Sequence, residues 1–348
     1  MMAWLSDRID RFRGRGAHAP TVPPMDGALR PNTRLEDAAV LARINAPDNL
    51  LLHQGGVLVS SGAVVHALDP VTGVVSDWRR FDAPVTALCS LGDRLALALE
   101  GGRLMLGDQA VTGLPDRACM TALSAGENGG LIVCIGSAEN GPADWKRDLL
   151  KRGATGSVWS VAANGVATQI AGQLAWPSGA AAAQGTITVA ESWRHRLTQL
   201  GGKPVVTDLP GYPARLIPAA GDGWWMCVFA PRNQLIELVL REAAYRDRMM
   251  AEVDQKWWVA PTLSPATSFY EPMQGGAIRT HGIIKPWAPT RSYGLLVRLD
   301  ATFRPIASYH SRADGRFHGI TSALPFGDRV LVASRGGNAI LSLQEAQP

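Results

Sequence analysis

Two groups in this chain are suited to acid–base chemistry, and aligning its repeats brings them to one place: Asp48 and His318. An imidazole that titrates near neutrality can take a proton from water. A carboxylate beside it would fix its orientation and raise its pKa. Arg215 could bind a carboxylate or a developing oxyanion. Ser178 could touch a substrate but is badly placed as a nucleophile driven by His318. The same residues have quieter readings: His318 bonded to a backbone carbonyl, and Arg215 solvated at a rim.

The elements that must position these groups follow from an internal repeat. Six times a Gly-containing turn precedes a short apolar strand, at Gly55, Gly92, Gly129, Gly185, Gly223 and Gly327. The spacings are 37, 37, 56, 38 and 104 residues, a basic period with two insertions. Periods near 40 residues carrying several strands each are typical of propeller blades, and a closed ring buries its own edges around an axial channel. The fold class expected is therefore all-β, a six-bladed β-propeller with a helical cap insertion and an N-terminal strap. Alternation such as Val57-Leu58-Val59 followed by Val64-Val65-His66 suits consecutive antiparallel strands.

Seven to nine residues before each marker glycine lies the entry to the innermost strand of a blade. The entry positions are Asp48, Val85, Met120, Ser178, Ala214 and His318. Ring closure makes the first and last blades neighbours, which is what pairs Asp48 with His318.

The strap and ring divide the chain into residues 1–40 and 41–348. Leu5, Ile9 and Phe12 share one helical face, suited to packing on the ring or to weak contact with a membrane surface or second subunit. Residues 17–34 are rich in Pro and Gly and read as an extended strap, followed by a short helix over 35–44. One insertion, 137–156, is polar with a helical turn over 145–150. The other, 231–292, begins with a strongly helical half supported by Glu237–Arg241 and Glu242–Arg246 pairs. Its second half is irregular, and loops of this length inside a compact domain are usually functional or lid-like. Covering a pocket at the channel mouth, it would offer Trp257, Trp258, Phe269, Tyr270 and Trp287 as apolar walls, with Tyr212 beside the Arg215 entry.

The composition is that of an ordinary globular chain: 46% hydrophobic, 18% charged, net charge +4. No Lys/Arg run tracks phosphates, which argues against nucleic acid. No apolar run is long enough to span a bilayer, and the first sixteen residues lack a signal-peptide core. Cys89, Cys119, Cys134 and Cys227 have neither metal-ligand nor disulfide spacing, which suits a reduced, cytoplasmic setting.

The stretches WPSGAAAAQGTITVAESWRHRL (176–197), LPGYPARL (209–216), GWWMCVFAPRNQL (223–235), KPWAPTRSYGLLVRLD (285–300) and HGITSALPFGDRVLVAS (318–334) resemble the strictosidine synthase-like family. That family belongs to the six-bladed propellers that include gluconolactonase, regucalcin and paraoxonase. The resemblance implies a calcium site with side-chain oxygens from four blade entries. The corresponding positions here are Asp48, Met120, Ser178 and Ala214, so no cofactor is expected. If a degenerate Ca²⁺ site persists, its ligands would be Asp48, Asn49, Thr121 and Ser178. The family's catalytic glutamate falls at His318. Glu191 matches a characteristic family glutamate and reads as an internal hydrogen-bond partner.

The function these features imply is hydrolysis of a small ester or lactone by a channel-mouth His318–Asp48 pair. Arg215 or a backbone N–H would hold the oxyanion, with a small molecule as the partner. The alternatives are an amine–aldehyde condensing (Pictet–Spengler-like) synthase and a non-catalytic propeller that binds a metabolite or a protein.

Overall fold

Tight connections between antiparallel strands need a residue at positive φ, which glycine adopts without a Cβ clash. All six marker glycines have it, from +62° at Gly92 to +89° at Gly223. The computed structural model describes residues 21–126, 129–266, 279–280, 283–284 and 290–345. It forms six four-stranded antiparallel sheets arranged as the blades of a ring. The expected N-terminal helical face lies outside the described residues.

The inner strands are Leu50–His53, Val85–Leu91, Met120–Ala125, Pro177–Ala183, Gly211–Pro218 and Ile320–Phe326, for blades one to six. Each packs against the inner strand of the next blade, and the sixth against the first. Second strands lie between neighbouring blades and bury both faces. Leu131–Ile135 is buried at every position, and Arg329–Ser334 at all but its first. Such strands read as continuous apolar runs rather than as alternation.

The ring is closed by the segment Ala39–Arg43, which pairs with Ala339–Gln344 as the outer strand of blade six. This corrects the helix expected over 35–44. The segment's composition tolerates a helix, but a distant strand offers its backbone a complete ladder, and tertiary pairing overrides weak propensity. Of the strap ahead of it, residues 21–34 are described; they are interrupted by a 3-10 turn at Gly27–Leu29 and are tied to the outer strand of blade five. The Asn32 side chain donates to the Ser308 carbonyl at 2.9 Å and accepts from the His310 N–H at 3.1 Å.

The helix Trp145–Lys151 forms in the first insertion, and the helices Gln234–Val239 and Ala243–Glu252 form in the second. They pack on one another through Leu150, Val239, Met249, Trp258 and Ala260. No described helix is long and apolar enough to cross a membrane.

Candidate functional site

The site begins with a backbone irregularity. At the entry of each of four inner strands the pairing register slips by one residue, leaving Thr86, Thr121, Ser178 and Thr321 as the extra residues. On blade five the slip spans Pro213 to Leu216 and takes in Ala214 and Arg215. A bulge releases backbone groups from the ladder and re-aims the side chain. These residues ring one mouth of the channel and line a cavity of about 440 Å³.

Arg215 crosses the axis of that ring. One terminal nitrogen donates to Asp48 Oδ1 at 2.6 Å and to the Thr321 carbonyl at 2.8 Å. The other donates to the Thr86 carbonyl at 3.0 Å, with the Thr121 carbonyl at 3.4 Å. Arg335 meets the second oxygen of Asp48 at 3.1 Å. Burial opposes charge on Asp48, but the attraction of Arg215 and Arg335 outweighs it and holds the carboxyl below the usual carboxylate range. Asp48 is thus a charged anchor rather than a proton carrier. Arg215 faces inward to the protein, not outward to a substrate carboxylate.

The hydroxyls of the ring are largely engaged as well. Ser178 donates to the Pro213 carbonyl and meets Ser192 Oγ at 2.6 Å. Thr121 donates to the Pro177 carbonyl at 2.5 Å, and Thr321 to the Asp48 carbonyl at 3.0 Å. Blade two differs. The Thr86 hydroxyl has no partner among the described residues. Glu100, just beyond the strand Arg94–Leu99 and held by its N–H on the Pro84 carbonyl, lines the same cavity. Its carboxylate makes no hydrogen bond or ion pair among the described residues. Arg335, with its side chain 41% exposed, keeps Nε and its second terminal nitrogen without a bond among them. Nothing in the sequence repeat points to Glu100, because it sits after the second strand and not at an entry.

The wall of the cavity is aromatic: Trp145 from the first insertion, Trp176 and Phe229. Behind it, Trp193 stacks on Trp176 at 5.1 Å and Tyr212 stacks on Phe229 at 5.6 Å. Tyr212 is fully buried, so it supports the wall and does not line it. Trp258 is buried in the cap with Arg147 over its ring. Trp257 is at the surface beneath Lys256. Neither lines the cavity. Phe269, Tyr270 and Trp287 lie outside the described residues. Among the described residues of the long insertion, Leu263 is the one that reaches the lining.

The expected His318–Asp48 pair does not form. His318 is fully buried and absent from the lining. Its Nδ1 meets Ser292 Oγ at 2.8 Å and its Nε2 meets the Arg312 carbonyl at 2.8 Å. Burial pushes its pKa down to about 4, only partly offset by the Arg312 carbonyl. The physical reason is register. Ile320 pairs with Ser334, so Thr321, three positions on, is the blade-six counterpart of Thr86, Thr121 and Ser178. Glu191 behaves as expected, buried and accepting from Arg194 at 2.9 Å and from the Ala175 N–H at 3.3 Å.

The calcium-ligand set implied by the resemblance does not fit this mouth. Asn49 turns into the core, donating to Ser60 Oγ at 2.8 Å and accepting from the Leu88 N–H at 3.2 Å. The Thr121 and Ser178 hydroxyls donate away, and Asp48 is covered by two guanidinium groups. Among the described residues no group of three or more His, Cys, Asp or Glu could hold a metal ion.

The opposite mouth carries a second cavity, also of about 440 Å³. It is lined mainly by apolar residues, including Leu51, Leu88, Leu123, Ile217, Leu324 and Trp224, and Arg215 forms part of both linings.

No protein-family model matches this sequence, and no curated protein matches it significantly. Solved structures resemble it in fold. A luciferin-regenerating enzyme has a TM-score of 0.53 at 12% identity, covering 89% of this chain and 91% of its own. A structural-genomics protein described as a gluconolactonase has a TM-score of 0.54 at 11% identity, covering 88% and 91%. The calcium-binding protein regucalcin from Agrobacterium tumefaciens has a TM-score of 0.50 at 14% identity, covering 88% and 92%. At such identities the likeness shows a shared architecture: this chain is a six-bladed β-propeller of the gluconolactonase and regucalcin shape.

Proposed function

We propose that this chain hydrolyses a small ester or lactone in the polar mouth, with Glu100 as general base and Arg335 as the oxyanion donor. One observation carries the reading. Within this cavity the Glu100 carboxylate and the remaining donors of Arg335 are the charged groups that internal bonding leaves available, among the described residues. Glu100 takes a proton from water as the water oxygen attacks the carbonyl carbon. Arg335 holds the oxyanion. Collapse breaks the acyl C–O bond, and Glu100 returns the proton to the leaving alkoxide, opening a lactone to a hydroxy acid. Trp145, Trp176 and Phe229 favour a flat, ring-containing substrate. Asp48 and Arg215 keep the floor rigid and do not move a proton.

The test is a panel of lactones, esters and amine–aldehyde pairs, read by product mass. Hydrolysis adds water to the substrate, whereas condensation joins two substrates with its loss. Turnover that adds water and fails in Glu100→Gln supports the reading. Joined products would favour the synthase alternative, and binding without turnover the non-catalytic one.

A further inference from the structure

We infer that the Arg215 guanidinium is a resident cation holding the position of a metal ion on the propeller axis, and that the oxygens around it form a latent site for a hard divalent cation. Arg215 is rooted on blade five, while its acceptors come from blades one, two, three and six: Asp48 Oδ1 and the carbonyls of Asp48, Thr86, Thr121 and Thr321. They lie 2.6–3.4 Å from its terminal nitrogens. One carboxylate and a ring of carbonyls is the oxygen-only donor set that Ca²⁺ takes, completed by water.

The match to a guanidinium is incomplete. Nε is buried and has no hydrogen-bond partner among the described residues. A site built to recognise the planar fork would use that donor too. The ring instead presents oxygens from four blades to the two terminal nitrogens alone, through the bulges that free the carbonyls of Thr86, Thr121 and Thr321. A tethered charge then does what a diffusible ion would do: it gathers the inner strands around one centre and neutralises Asp48. A divalent cation cannot join it, because two like charges would share one cluster of oxygens. Arg215 also lines both axial cavities, so its truncation opens space for an ion and its waters.

Metal content by mass spectrometry and thermal midpoints in EDTA or calcium chloride test this without reference to any activity. The wild type is expected to purify with far less than one equivalent of divalent metal, its midpoint unmoved by either addition. Arg215→Ala should melt about 5–15 °C lower and regain at least half of that loss in calcium chloride. Adding Asp48→Asn should abolish the recovery. If Arg215→Ala does not fold in EDTA, Arg215→Lys decides: it should fold and stay indifferent to calcium. A stoichiometric metal in the wild type whose removal lowers the midpoint would overturn the inference. So would a folded Arg215→Ala that calcium does not stabilise, or an Arg215→Lys that it does.

Discussion

The two mouths of the channel are made from the same six inner strands and hold cavities of similar volume, about 440 Å³ each, yet their chemistry differs. Where the strands begin, bulges break the ladder and turn carbonyls, hydroxyls and charged side chains toward the axis. Where the strands run on in regular register no such release occurs, and the lining is mostly Leu, Ala and Ile. Space alone therefore does not mark a site. The irregular backbone is what makes one mouth polar and leaves the other a pocket of mostly apolar side chains.

The largest expected effect tests that contrast directly. Glu100→Gln should lower kcat about 10²–10⁴-fold on any substrate the chain hydrolyses, with KM little changed. Ser124 lines the opposite cavity, and its hydroxyl is also unpartnered among the described residues. If Ser124→Ala lowers turnover as much, the assignment of chemistry to the polar mouth fails. Arg335→Met should come next, at about 10²-fold in kcat.

Asp48→Asn leaves Arg215 without its charged acceptor and should cost about 3–5 kcal/mol by urea unfolding. An unchanged midpoint would mean that the polar floor is not under electrostatic tension. Acid should act on a third region, behind the mouth. Burial holds His318 and His310 at about 4 in the folded chain, against roughly 6.5 when unfolded. The unfolded chain therefore takes up protons first as pH falls. The stability from these residues is complete above pH 6.5 and erodes between about 6.5 and 4. Urea midpoints across that window should fall, and His318→Gln should flatten the slope while leaving turnover per folded molecule unaltered. The smallest expected effect is Ser124→Ala on stability, within about 0.5 kcal/mol.

The blades were legible because their turns are local chemistry: glycine at positive φ precedes each second strand, and sequence carries that signal directly. The cap helices were legible from the absence of Pro and Gly, but the charge spacing misled: the helix breaks between Val239 and Ala243, and Glu237 turns instead to Arg232 and His195. The site was legible only in part. Counting back from each glycine located the mouth, Asp48, Ser178 and Arg215, but the count overshoots in blade six: its bulged residue, Thr321, stands as far before Gly327 as Thr86 stands before Gly92, and His318 lies beyond it. Long side chains compound the problem. Arg215 reaches across to oxygens on four other blades, which no residue-by-residue alignment foresees. The strand at 39–43 was missed for the same reason, its partner being about 300 positions away.

That separation has a consequence for biogenesis. During synthesis, Ala39 emerges long before Ser342, the residue it will face. Five blades can assemble as the polypeptide leaves the ribosome, while the sixth lacks its outer edge and the early segment dangles as an unpaired β-edge, open to mispairing with other nascent chains. Docking of that segment must therefore be a late event, and contacts this remote in sequence form slowly.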